Sequence, residues 1–181
     1  MKNALAQATG LLILALCLTS GCAHYTLGTQ GKLSFTTLYV EPVSNKSTLP
    51  QAQEILSQQL RDIFEKDGRV TLVNSPQIAD ATLTVTIKTY RRDVSAVRES
   101  DTGLANKFTL TLDSVCALSD NRTHSVLFQN RLVEVQASAF TDNGIPALTG
   151  PGNQQQSEYN TVPILARKLA DKVGHVVLDV W

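Results

Sequence analysis

Ala81-Thr82-Leu83-Thr84-Val85-Thr86-Ile87-Lys88 decides the fold, because apolar and polar side chains change places at every step. Successive side chains of a strand point to opposite faces, so Ala81, Leu83, Val85 and Ile87 are expected on a buried face and the threonines on the other. The alternation predicts a strand from Ala81 to Val94. Asn106 to Leu118 repeats it with Phe108, Leu110, Leu112, Cys116 and Leu118 on the apolar parity, which makes Cys116 a core residue. Asp120-Asn121-Arg122 reads as a turn, and Ser125 to Gln136 as a third strand whose weaker alternation suits an edge. The three form an antiparallel meander.

Downstream, residues 137–160 contain Gly144, Pro146, Gly150, Pro151, Gly152 and Gln154-Gln155-Gln156, a composition that predicts a flexible loop. Helical spacing follows, with Val162, Leu165, Leu169, Val173, Val176, Val177 and Val180 on one face and Arg167, Lys168, Asp171 and Lys172 opposite. Burying those seven side chains is worth roughly 10–20 kcal/mol before chain entropy, so this helix must pack on the sheet. Upstream, Ala52, Ile55, Leu56, Leu60, Ile63 and Phe64 predict another amphipathic helix, with Thr48 as its N-cap, Pro50 early and Gly68 as its C-cap. Lys32 to Val43 reads as a strand that Pro42 ends, Ser44 to Thr48 as a loop, and Val70 to Val73 as a short strand. The expected class is α+β: two helices on one face of a mixed, mainly antiparallel sheet of four or five strands, ordered strand, helix, short strand, meander, helix.

The N-terminus adds a different signal. Lys2 precedes an uncharged apolar stretch from Ala4 to Leu18, too short for a membrane span and laid out as a signal peptide. Leu18-Thr19-Ser20-Gly21-Cys22 closes it in the manner of a lipobox, with Thr19 where Leu is usual. The expected organisation is a signal peptide at 1–21, a lipidated tether at 22–31 and one domain at 32–181. Acyl chains on Cys22, at about 0.8 kcal/mol per buried CH₂, would anchor the chain to a membrane. Ala23 after the cysteine is similar to lipoproteins sorted to the outer membrane, which places the domain on the periplasmic face.

Composition excludes several functions. The chain carries 16 basic and 16 acidic residues, and Lys2 leaves with the signal, so no overall field gathers nucleic acid. Cys17 is cleaved off and Cys22 acylated, which leaves Cys116 no disulfide partner. His24, His124 and His175 are far apart without ligand-spaced companions, so no metal or cofactor is expected. Gly28-Thr29-Gln30-Gly31-Lys32 lacks the Ser or Thr that a phosphate loop has after Lys, and no nucleophile or paired-carboxylate motif occurs. The expectation is a binding protein and not an enzyme.

Three stretches carry a resemblance: Gly21-Cys22-Ala23-His24-Tyr25-Thr26-Leu27-Gly28, Tyr39-Val40-Glu41-Pro42-Val43-Ser44-Asn45-Lys46-Ser47, and Ala79-Asp80-Ala81-Thr82-Leu83. In this order, with a final helix ending in an aromatic, the chain resembles the lipopolysaccharide-assembly lipoproteins (LptE-like). It departs from them at Ser44, where many members have an aromatic, and in its Gln-rich segment. The resemblance implies two helices against a four-stranded mixed sheet, a translocation barrel (LptD-like) as partner with its lumen as the place of work, and contact with lipopolysaccharide. The same features occur in lipoproteins of secretion channels and in cell-wall synthase activators, which remain the alternative. Two sets of residues are candidates for the work. Thr84, Thr86, Thr109 and Thr111 would form a partner surface opposite the helices. Lys88, Arg91, Arg92, Arg98 and Lys107 would gather lipid A phosphates at the end of the longest hairpin, although Asp93, Glu99 and Asp101 lie among them.

Overall fold

The computed structural model describes residues 33–97, 105–140 and 151–179, the side chains of 151–153 excepted. Its elements are β1 (Thr37–Val40), β2 (Ser44–Asn45), α1 (Ala52–Asp67), β3 (Thr71–Leu72), a 3₁₀ turn at Pro76–Ile78, β4 (Ala81–Val97), β5 (Ala105–Asp120), β6 (Ser125–Phe140) and α2 (Pro151–Leu178). The strands form one sheet in the order β3-β1-β4-β5-β6, with β2 also pairing β4. β1 is parallel to β3 and β4, β2 is parallel to β4, and β4-β5-β6 is the expected antiparallel meander with β6 at the edge.

Among the described residues the sheet has six strands where four or five were expected. Pro42 has no N–H to donate, so the chain leaves the ladder after Val40 and rejoins it at Ser44, opposite Thr86. Ser44 and Asn45 are therefore strand and not loop. Asn45 then wires the turn into α1: its Oδ1 accepts from the Ser47 N–H at 2.9 Å, and its Nδ2 donates to the Leu49 carbonyl at 2.8 Å. Thr48 is not the N-cap. The helix starts after Gln51, which makes no side-chain cap, while Gly68 closes the other end with φ 73°, as expected.

α2 begins eleven residues earlier than the sequence suggested, so the expected loop at 137–160 is strand as far as Phe140 and helix from Pro151. Glutamine is a good helix former, and Gln154 bonds Glu158 and Gln156 bonds Asn160 across single helical turns. Pro151 and Gly152 signal a loop only when their position at a helix start is overlooked. Residues 141–150, the signal and tether at 1–31, and Trp181 lie outside the described residues.

One core joins the two layers. Leu56, Leu60 and Phe64 of α1 and Leu165, Leu169, Val173 and Val177 of α2 meet Leu83, Val85, Ile87, Leu110, Leu112, Cys116 and Leu118 of the sheet. The helices meet at Gly174, where an added Cβ would stand 3.0 Å from Ile63 Cγ2. Among the described residues no helix is long and apolar enough to cross a membrane.

Asp80, the middle of Ala79-Asp80-Ala81, fastens the corner of the sheet. Its Oδ2 accepts from the Thr36 N–H at 2.8 Å, the Thr36 hydroxyl at 2.7 Å and the Thr37 N–H at 2.9 Å. The Thr36 N–H foremost, then its hydroxyl and the Thr37 N–H, hold the Asp80 carboxyl well below the usual carboxylate range. Asn121, in the turn after β5, donates to the Ala79 carbonyl at 3.0 Å and completes the corner.

Candidate functional site

Among the described residues, the surface left uncovered by the helices is the far face of β4-β5-β6. Thr84 and Thr86 of β4 stand in register with Ala117 and Val115 of β5, and Thr109 and Thr111 of β5 with Ser138 and Gln136 of β6. All four threonines of the expected partner surface share this face, because Leu83, Val85, Leu110 and Leu112 take the other parity into the core. They are not equally accessible. Thr111 is only 2% exposed, so it shapes the face without offering a contact. Thr84, Thr86 and Thr109 are half-buried, and the Thr84 hydroxyl already donates to Glu41 Oε2 at 2.8 Å.

The expected cationic cluster comes apart, and a β-bulge is the reason. The register between β4 and β5 slips between Ile87 and Thr89, so the inward parity moves from odd to even residues. Arg91 therefore lies on the open face and Arg92 under α2. Arg91 Nη1 donates to Asp113 Oδ2 at 2.8 Å, and Nη2 stands 3.7 Å from Glu134 Oε2. Arg92 Nη1 donates to Glu158 Oε1 of α2 at 2.8 Å, and its guanidinium lies 5.4 Å from the Phe108 ring centroid. Beside it the Tyr90 phenol is pushed up to about 12, first by burial and then by the Glu158 charge. Both arginines, half-exposed, are thus already paired with carboxylates of the domain, on opposite faces of the sheet.

Lys107 does not return to Arg92. It pairs with Ala96 on one side and Phe140 on the other, and its Nζ lies 5.6 Å from the Phe140 ring centroid. Lys88 is exposed at the bulge, and Arg98 lies outside the described residues. The distal end of the meander exposes Val97 and Phe140 on the face of Lys107, and Val94, in register with Phe108, on the other. The two consecutive polar residues Lys88-Thr89 were the available signal for the bulge; nothing local pointed to the exposed Phe140.

A groove of about 490 Å³ runs between the helices, lined by Gln59, Asp62 and Lys66 of α1 and Arg167, Asp171 and His175 of α2, among others. At its end Arg69 donates to Asp67, to Asp179 Oδ1 at 2.8 Å and to the Leu178 carbonyl at 3.2 Å, clasping the C-terminal ends of both helices. Its charges alternate in sign, which suits a solvated seam. Among the described residues no three His, Cys, Asp or Glu side chains gather for a metal. Burial pushes the Cys116 thiol up to about 11, so it stays protonated and unreactive at neutral pH.

The family model described as lipopolysaccharide-assembly, LptE, matches residues 35–174. No curated protein matches the chain. Among solved structures, a Xanthomonas campestris protein superposes with a TM-score of 0.55 at 13% identity, covering 81% of this chain and 86% of that one. An uncharacterised lipoprotein B from Nitrosomonas europaea gives 0.50 at 14% identity, covering 87% and 89%. A hypothetical protein from Chlamydia trachomatis gives 0.50 at 11% identity, covering 80% and 99%. At these identities the likeness is one of fold.

Proposed function

The chain belongs to the LptE lipopolysaccharide-assembly family, and from that premise we propose that it is the lipid-anchored, periplasm-facing partner of an LptD-like outer-membrane barrel. The observation that carries this reading is the uncovered hydroxyl-bearing face of β4-β5-β6. Strands of 16 and 17 residues make it roughly 50 Å long. Such a face suits the polar lumen of a large barrel better than lipid, because lumen-facing positions of outer-membrane barrels are polar and lipid-facing ones apolar. Acylation of Cys22 would hold the domain at that membrane.

The test is co-production of the full lipoprotein with the barrel from the same cell, followed by affinity capture of the barrel. Wild type is expected to co-purify from the membrane fraction, and Thr86→Arg to be lost while its circular dichroism stays native. Cys22→Ala is expected to remain unprocessed or leave the membrane. Capture of Thr86→Arg equal to wild type would return this face to solvent. Failure of wild type to be captured would favour a periplasmic partner outside lipopolysaccharide transport.

The same reading locates a lipopolysaccharide contact at the distal end of the meander. Lys107 beside the exposed Phe140, with exposed Val97 at the same end, offers a cation for phosphate and apolar surface for acyl chains. Lys107→Glu and Phe140→Ala are each expected to weaken binding of purified lipopolysaccharide by about tenfold, or ~1.4 kcal/mol, with the Lys107 effect shrinking at high salt. Arg91→Gln is expected to leave it near wild type, because the Arg91 charge is already engaged by two carboxylates. The opposite ranking would move the contact to the Arg91 face.

A further inference from the structure

Among the described residues the two edges of the sheet are unequal: β3 has 2 residues and β6 has 16. A long strand edge presents unpaired N–H and C=O groups to any extended chain, so it needs a guard. The Ser114 hydroxyl and the Cys116 thiol of β5 approach the Val133 and Arg131 carbonyls at 3.4 and 3.5 Å, which places those odd residues on the β5 side. Alternation then turns the backbone of Glu134, Gln136 and Ser138 outward. On that side Lys172 Nζ donates to the Glu134 carbonyl at 2.8 Å and Lys168 Nζ to the Gln136 carbonyl at 2.9 Å. The spacing matches: four residues of helix rise about 6 Å and two residues of strand about 6.8 Å, so consecutive turns of α2 meet consecutive outward carbonyls.

We propose that Lys168 and Lys172 hold the β6 edge closed to strand addition by a second copy of this chain. The strand is self-complementary over the guarded stretch. Set antiparallel about Gln136, two copies would place exposed Leu132 opposite exposed Phe140 and Glu134 opposite Ser138, with apolar facing apolar and no like charges opposed. Asn130, with φ 54°, interrupts regular strand geometry just before this stretch and bounds it. The lysine amines take the place that a partner strand's N–H groups would occupy.

The test is polypeptide mass by light scattering, with amide hydrogen exchange, on the full chain in detergent. Wild type is expected to run as one chain. Lys168→Ala/Lys172→Ala is expected to double in mass as concentration rises, with new protection at the Glu134, Gln136 and Ser138 amides. Both lysines are exposed, so their loss leaves the fold intact by circular dichroism. Lys168→Arg/Lys172→Arg keeps the donors and is expected to remain a single chain. Adding Leu132→Lys to the alanine pair is expected to restore the single chain, since a charge on the edge strand blocks pairing. A natively folded alanine pair that stays a single chain at every concentration overturns the proposal, as does association without protection at those three amides.

Discussion

Asp80→Ala is expected to lower the folding free energy by about 3 kcal/mol, read as a lower urea midpoint with an unchanged m-value. The carboxylate receives three donors from Thr36 and Thr37, and hydrogen bonds to a charged group contribute ~1.5–3 kcal/mol each, net of the water they replace. Water replaces part of the loss at this partly exposed corner, which keeps the sum near that of two such bonds. Asp80→Asn keeps an acceptor but not the charge and is expected to lose about half as much. The pH dependence has a definite sign. The folded carboxyl is held below its ordinary value of 3.8, so its contribution is fully present above that pH and lost as pH falls through the folded value. Wild type therefore weakens below about pH 4, and Asp80→Asn shows a shallower acid slope. A residual slope remains because Asp67, bonded by Arg69, and Asp179, bonded foremost by His175 and then by Arg69, are lowered as well. Equal urea midpoints for wild type and Asp80→Ala would mean that this carboxylate does not fasten the corner of the sheet.

Gly174→Val should cost about 2–4 kcal/mol, because the helices touch where this side chain would grow. Even a methyl at Gly174 would stand 3.0 Å from Ile63 Cγ2, closer than packed carbons sit. Valine adds two more carbons and a β-branch that crowds the preceding helical turn. Gly174→Ala is expected to be much milder, since the helix propensity gained, up to ~1 kcal/mol, offsets a small shift of Ile63. The discriminating measurement is a double-mutant cycle: Ile63→Ala should absorb much of the valine penalty, giving coupling of about 1 kcal/mol or more. Additive effects would mean that the cost of valine is local to the helix.

Sequence periodicity was sufficient wherever one residue's neighbours were its own chain. The alternation of Leu83, Val85 and Ile87 against Thr84 and Thr86 predicted both faces of β4 as far as Ile87, and the spacing of Leu56, Leu60 and Phe64 predicted the buried side of α1. The open threonine face was legible for the same reason, as was the core position of Cys116. The cationic set was not, because neighbours in sequence need not share a surface of the sheet. Arg91 and Arg92 are adjacent in the chain, yet one meets Asp113 across the open face and the other meets Glu158 beneath α2.

By itself, then, the sequence determined the class of the fold, the two amphipathic helices, the meander and its polar side, because hydrophobic period is a local property that burial must obey. Only the tertiary structure decided the slip at Lys88, the joining of Asp80 to Thr36 and Thr37, and the meeting of Lys168 and Lys172 with the carbonyls of β6. Each of these pairs groups that are distant in the chain or depends on strand register. The chain's own periodicity fixes neither; both are fixed when the layers close and every buried or edge polar group must find a partner.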